Sequence, residues 1–161
     1  MGLENLKQNM KITILAVGKL RHSIFSQLYE LYAKRLKWEL RLREIEPHNI
    51  QNIREQRRYE SAKLLALIPD GAQIIILDEN GKTLSSLGLA SWVDRKIQNG
   101  TKDICVLIGG ANGLDLNVLS KSHLILALGR LTWPHLMVRG MILEQIYRVQ
   151  QILSGHPYHK D

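Results

Sequence analysis

Leu128-Gly129-Arg130-Leu131-Thr132-Trp133-Pro134-His135-Leu136-Met137-Val138-Arg139 is the stretch on which the reading of this chain turns. It joins an apolar run, Leu124–Leu128, to a long helical pattern, Leu136–Leu153, which makes strand, loop and helix in succession. Pro134 locks its own φ and pushes Trp133 toward an extended backbone, so it suits a place at or near the first turn of the helix. The free N–H groups of that turn are expected to point back into the loop and to favour an anionic or electron-rich ligand. Taken alone, Pro134 does no more than start a helix. The segments around it are what raise the loop to a candidate site.

Working outward, two more short apolar strands end in turn-forming sequence. Ile104–Ile108 runs into Gly109-Gly110-Ala111-Asn112-Gly113, and Ile74-Ile75-Ile76-Leu77 runs into the turn Glu79-Asn80-Gly81-Lys82. Ile12–Val17 is β-rich and stops at Gly18, whereas Trp38–Arg43 alternates apolar and charged residues like a half-buried strand and is closed by Pro47. Helical patterns fill the gaps. Ser23 caps one that runs to about Leu36, Asn52 begins one to about Ile68, Ser85 or Ser86 caps one ending at Asn99-Gly100, and Asp115 caps a short one to about Lys121. Short apolar strands alternating with helices predict an α/β fold, a mostly parallel sheet of about five strands with helices on both faces.

Ligands bind such sheets at the carboxyl ends of the strands. Three loops in the second half leave such ends: after Leu77, from Gly109 to Gly113, and from Leu128 to Pro134. Gly-Gly-x-x-Gly is a weak signal alone, and it is neither the dinucleotide fingerprint nor a phosphate loop. The last helix carries one apolar stripe, Val138, Ile142, Ile146, Val149 and Leu153, with Leu136, Leu143 and Tyr147 on a second side. That second side is expected to want another partner, most simply a second copy in a two-fold dimer.

The 161 residues suit one domain, with residues 1–9 expected to be a flexible extension and residues 10–161 the folded unit. No apolar run approaches the roughly 20 residues of a membrane span and no signal peptide begins the chain, so a cytoplasmic setting is expected. Cys105 lies inside an apolar strand and is expected to pack there. The net charge of +7 suggests a polyanionic partner. Residues 1–63 hold 13 Lys and Arg against 7 Glu, and residues 64–161 hold 9 against 8 Asp and Glu. The basic surface therefore belongs to the first half, where Arg54, Arg57 and Arg58 crowd the start of a helix against its dipole. The near-neutral second half suits a small ligand.

The carboxyl end, Gly155-His156-Pro157-Tyr158-His159-Lys160, is unusually rich in imidazole and phenol for a tail. His156 and His159 have no local carboxylate or thiol beside them and make a poor metal site, so no metal is expected. Next to a ligand pocket, such groups suit hydrogen bonding or proton transfer.

Leu107–Gly113, then Leu131–Arg139, then Glu144-Gln145-Ile146-Tyr147-Arg148, then His156–Lys160, with Met10-Lys11-Ile12 and Ala16-Val17-Gly18-Lys19 at the start, resemble the RlmH family. This is the smallest group of SPOUT methyltransferases, and the similarity runs from about Met10 to Asp161. The resemblance implies S-adenosylmethionine as methyl donor and N3 of a pseudouridine in a large-subunit ribosomal RNA hairpin as acceptor, on the assembled ribosome. It implies a homodimer and a deep trefoil knot near the carboxyl end. It places the donor pocket on Leu77, Gly109, Leu128, Gly129, Arg130, Leu131, Thr132 and Trp133, with backbone contacts at Gly129 and Arg130. On that footing the tail, from the partner subunit, caps the pocket. His159 or Tyr158 then helps proton removal, or only positions substrate, and Arg148 anchors a phosphate or the base carbonyl. Two other readings stand beside this one: a basic RNA-binding module without catalysis, and an oxidoreductase using a nicotinamide cofactor.

Overall fold

The computed structural model describes residues 2–160; Met1 and Asp161, the outer limits of the two expected segments, lie outside the described residues. The elements run α1 (Leu3–Gln8), β1 (Lys11–Val17), α2 (Ile24–Ala33), β2 (Glu39–Ile45), α3 (Ile53–Leu65), β3 (Gln73–Thr83), α4 (Ser86–Gln98), β4 (Asp103–Ile108), α5 (Leu116–Leu119), β5 (Leu124–Ala127) and α6 (Met137–Leu153). Each predicted cap does its work. The side chains of Ser23, Asn52, Ser85 and Asp115 accept from backbone N–H groups in the first turns of α2, α3, α4 and α5.

The five strands form one sheet in the order β2-β1-β4-β3-β5, and every pairing is parallel. Alternate residues of each central strand feed opposite faces. Ile12, Ile14, Ile104, Val106 and Ile108 pack with α2, α4 and α6, while Leu15, Val17, Cys105, Leu107, Ile74 and Ile76 pack with α3 and α5. Burial of both faces is what the unbroken apolar runs foretold. Cys105 is wholly buried, and that burial pushes its thiol up to about 12, so it packs as a small hydrophobe.

Residues 3–8 form a helix: the Lys7 ammonium meets Asp94 of α4 at 2.8 Å, and Trp38 Nε1 donates to the Lys7 carbonyl at 2.6 Å. Three details differ from expectation. β3 does not end at the Glu79–Lys82 turn. It bulges there and pairs with β5 again at Lys82 and Thr83. Pro134 sits three residues before α6, and its carbonyl already accepts from the N–H groups of Met137 and Val138. Two of the first-turn donors expected to face a ligand are therefore taken. The second side of α6 is covered within its own chain, since Leu143 is fully buried among α2 and α4 residues.

Candidate active site

The β3 bulge after Leu77 and the carboxyl ends of β4 and β5 open into a cleft of about 820 Å³. All three loops singled out from the sequence line it, through Leu77, Gly109, Leu128, Gly129, Leu131, Thr132 and Trp133. Arg130 is exposed and stands outside the lining. Arg57, whose place against the helix dipole hints at a ligand as much as at solvated surface, Asp78 and Glu79 of the stretch after Leu77, and His135, which sequence reasoning did not single out, line the cleft too.

Each loop is held by specific bonds. Gly109 is buried, and a Cβ there would fall 2.9 Å from the backbone carbon of Gly113, so the loop closes only over hydrogen. Its far side is stitched to α3. Arg57 Nε donates to the Asn112 carbonyl at 2.8 Å, the Asn112 amide donates to Gln56 at 3.1 Å, and the Asp115 N–H donates to Ser61 Oγ at 3.0 Å. Thr132 Oγ1 donates to Glu79 at 2.7 Å and ties the 128–134 loop to the one after Leu77. Trp133 Nε1 donates to the Leu128 carbonyl at 3.0 Å and closes that loop on itself.

Behind the cleft lies a buried ionic group. The Arg139 guanidinium, with no solvent exposure, pairs with Glu44 and donates to the Val17 carbonyl at 2.7 Å. Glu44 also accepts from the Leu20 N–H at 2.8 Å. This pair fastens the first turn of α6 to the ends of β1 and β2. His135 sits against it, and burial, then the Arg139 charge, holds its imidazole below the ordinary value against the opposing pull of Glu60.

The tail residues are gathered elsewhere. Glu144 Oε1 accepts from Arg148 Nε at 3.0 Å, from Arg148 Nη2 at 2.5 Å and from the Tyr158 hydroxyl at 3.0 Å. Arg148 Nη1 lies 3.2 Å from His159 Nδ1; Arg148 can only donate, so in this contact Nδ1 accepts and the ring proton sits on Nε2. The Tyr158 ring packs edge-on against Tyr147 at 4.8 Å. Arg148, Tyr158 and His159 are thus brought to one another but not to the large cleft of their own chain. Their anchor, Glu144, borders a second cleft of about 520 Å³, which shares Leu126, Leu128 and Gly129 with the first.

The geometry offers a cleft with leucine side chains and glycine backbone on its walls and polar and charged side chains among them, with a separate cluster of Arg148, Tyr158 and His159 beside a second cleft. A family profile described as "Predicted SPOUT methyltransferase" matches residues 10–159. The chain belongs to the SPOUT methyltransferase family. Proteins named "Ribosomal RNA large subunit methyltransferase H" are similar along nearly the whole length. The one from Rhodospirillum centenum is 44% identical over 151 residues, covering 94% of this chain and 99% of the relative. The one from Agrobacterium fabrum is 40% identical over 159 residues, with the same coverage. The solved structure of a probable methylase family protein from Haemophilus influenzae Rd KW20 shares the fold at a TM-score of 0.54, with 12% identity, 96% of this chain and 72% of that chain covered.

A SPOUT methyltransferase needs a methyl donor, and the larger cleft has the chemistry for one. Leu77, Leu114, Leu128 and Leu131 give apolar walls, Gly109 permits close backbone approach, and Asp78 and Glu79 give acceptors for hydroxyl or ammonium groups. Among the described residues, no helix is long and apolar enough to cross a membrane.

Proposed function

We propose that this SPOUT methyltransferase transfers a methyl group from S-adenosylmethionine to N3 of a pseudouridine in large-subunit ribosomal RNA, on the assembled ribosome in the cytoplasm. The observation that carries the proposal is the cleft uniting the β3 bulge after Leu77 with the loops after β4 and β5, on all but Arg130 of the residues that the family resemblance assigns to the donor. The names of the relatives and the net charge of +7 support an RNA acceptor. The resemblance supplies the pseudouridine, the homodimer and the trefoil knot.

Leu77, Gly109 and the run from Leu128 to Trp133 would hold the donor. When bound, it supplies a sulfonium methyl carbon open to in-line displacement. The protein's part is alignment, exclusion of water and control of the N3 proton. Within one chain, the tail cluster sits beside the second half of α6, whereas the cleft takes Val138 from its beginning. A second copy therefore brings the tail to the donor. Tyr158 then acts as a hydrogen-bond donor: burial, then its bond to Glu144, pushes the phenol up to about 12. The N3 proton goes to His159. Arg148 engages Nδ1 in the free chain, and drawing Arg148 onto a phosphate or base carbonyl releases that nitrogen to accept.

Calorimetry with S-adenosylmethionine tests the donor site, and absence of heat leaves a basic RNA-binding module in its place. Mass mapping of large-subunit ribosomal RNA from a strain lacking the protein tests the acceptor. The expected result is loss of one methyl group from one pseudouridine, and an unchanged methylation pattern overturns the assignment.

A further inference from the structure

The glycine loop of the cleft is held by one face of α3; the other face points to solvent. Arg54 and Arg58 stand one turn apart on that face, both exposed, and neither is in an ion pair with a described residue. Arg57, between them in sequence, turns toward the cleft and lines its mouth. Further along, Tyr59 is exposed and stacks on exposed His48 with ring centres 4.0 Å apart, and the Lys63 ammonium lies over the Tyr59 ring at 4.7 Å. Glu55 is the single acidic residue on this outer face, since Glu60 is buried and accepts from the His48 N–H and the Gln56 amide.

Unpaired guanidinium groups on the same helix as a stacked aromatic pair are the ingredients of a single-stranded nucleic-acid surface, cations for phosphates and π-faces for bases. An acidic protein would be served by the cations alone and would leave the stacked rings without a use. The helix runs about 20 Å at 1.5 Å per residue, and its Arg57 end opens on the donor cleft. We infer that the outer face of α3, from Arg54 and Arg58 to the His48–Tyr59 stack, is the track on which the RNA flanking the modified nucleotide lies. The inference rests on the RNA acceptor proposed above. It adds that one helix serves both substrates: its inner face holds the donor loop through Gln56, Arg57 and Ser61, and its outer face meets the phosphates.

The test uses the full chain and a large-subunit RNA hairpin, with binding measured across a series of salt concentrations. Arg54→Ala/Arg58→Ala should weaken hairpin binding and lower the slope of log affinity against log salt by about 1.5, since each lost phosphate contact removes roughly 0.7–0.9 from it. Tyr59→Ala should weaken binding with little change of slope, because stacking releases no counterion. Heat of S-adenosylmethionine binding should be unchanged in both variants, because these residues leave Arg57 and Gln56 in place. A wild-type protein that binds and methylates the hairpin while both variants match it in affinity and slope overturns this surface and leaves the proposed reaction intact. A wild-type protein that neither binds RNA nor methylates it overturns the reaction itself. Variants that bind the hairpin normally but lose affinity for intact large subunits overturn the RNA assignment in favour of a ribosomal protein.

Discussion

Two residues behind the cleft govern how it responds to substitution and acid. Arg139 is buried with Glu44 as its counter-ion, and such pairs reveal themselves when one member is removed. Arg139→Met should destabilise the protein by about 3–5 kcal/mol, because the Glu44 carboxylate is left without its partner. Arg139→Met/Glu44→Leu should recover most of that loss. Urea titrations read both, and a single variant as stable as wild type would mean the pair holds nothing. His135 responds to pH. Its pKa is held below the ordinary 6.5, and so is that of His123, where burial and the Lys96 charge act. The unfolded chain therefore takes up protons near pH 6.5 that the folded chain resists. Stability should be at its full value above that pH and fall as the solution is acidified below it. Thermal melts from pH 7.5 to 5.5 should show that slope, and it should flatten in His135→Asn/His123→Asn, where the carboxamide introduced at position 123 keeps an acceptor for the Ile74 N–H. A slope of the same size in the double variant would place the proton uptake elsewhere.

At the level of elements, α6 is where pattern and structure part company. Its stripe of apolar residues was legible from spacing alone, but what covers its second side was not. That depends on how closely α2 approaches, and the approach depends on Gly140, where a Cβ would fall 2.6 Å from Leu28 Cγ. Gly140→Ala should therefore cost about 1–3 kcal/mol of overpacking, less about 1 kcal/mol of helix propensity regained. In a Leu28→Ala background the same change should become neutral or stabilising, and simple additivity would show that the two helices do not meet there. The strands and caps could be read because their signals are local: β-branched runs, capping oxygens, and glycine or proline at the ends. The loops that line the larger cleft could be read for the same reason. That Arg57 and Glu79 meet in one cleft with His135 could not, since each reaches it only through the packing of α3, the β3 bulge or the Arg139 pair. The bulge itself escaped reading because Glu79-Asn80-Gly81-Lys82 has turn chemistry, and only the close approach of the β5 backbone to Gly81 makes it a strand again.

For the whole molecule, the decisive question is which chain completes the site. Val138 lines the donor cleft and Arg148 holds the tail, ten residues farther along one straight helix, or about 15 Å at 1.5 Å per residue. Glu144 binds both Arg148 and Tyr158, so the cluster is held along α6, past the Val138 end, within its own chain. Leu28, Leu84 and Met141 line the smaller cleft beside it, and Leu84 and Leu87 are exposed, which gives an apolar surface for a second copy near the tail. Complementation separates the two arrangements. Gly109→Ala disturbs the donor loop and leaves the tail intact, while Tyr158→Phe/His159→Ala does the reverse. Each variant alone should methylate slowly. If the chain pairs as proposed, unfolding the two together and refolding the mixture makes half the dimers heterodimers, and in each of these one site joins an intact cleft to an intact tail. The mixture should then recover about a quarter of the wild-type rate per subunit under statistical mixing, and donor binding should follow the fraction of intact clefts. If the tail served its own chain, no pairing of these variants would assemble a complete site, and the mixture would be as slow as the average of its parts.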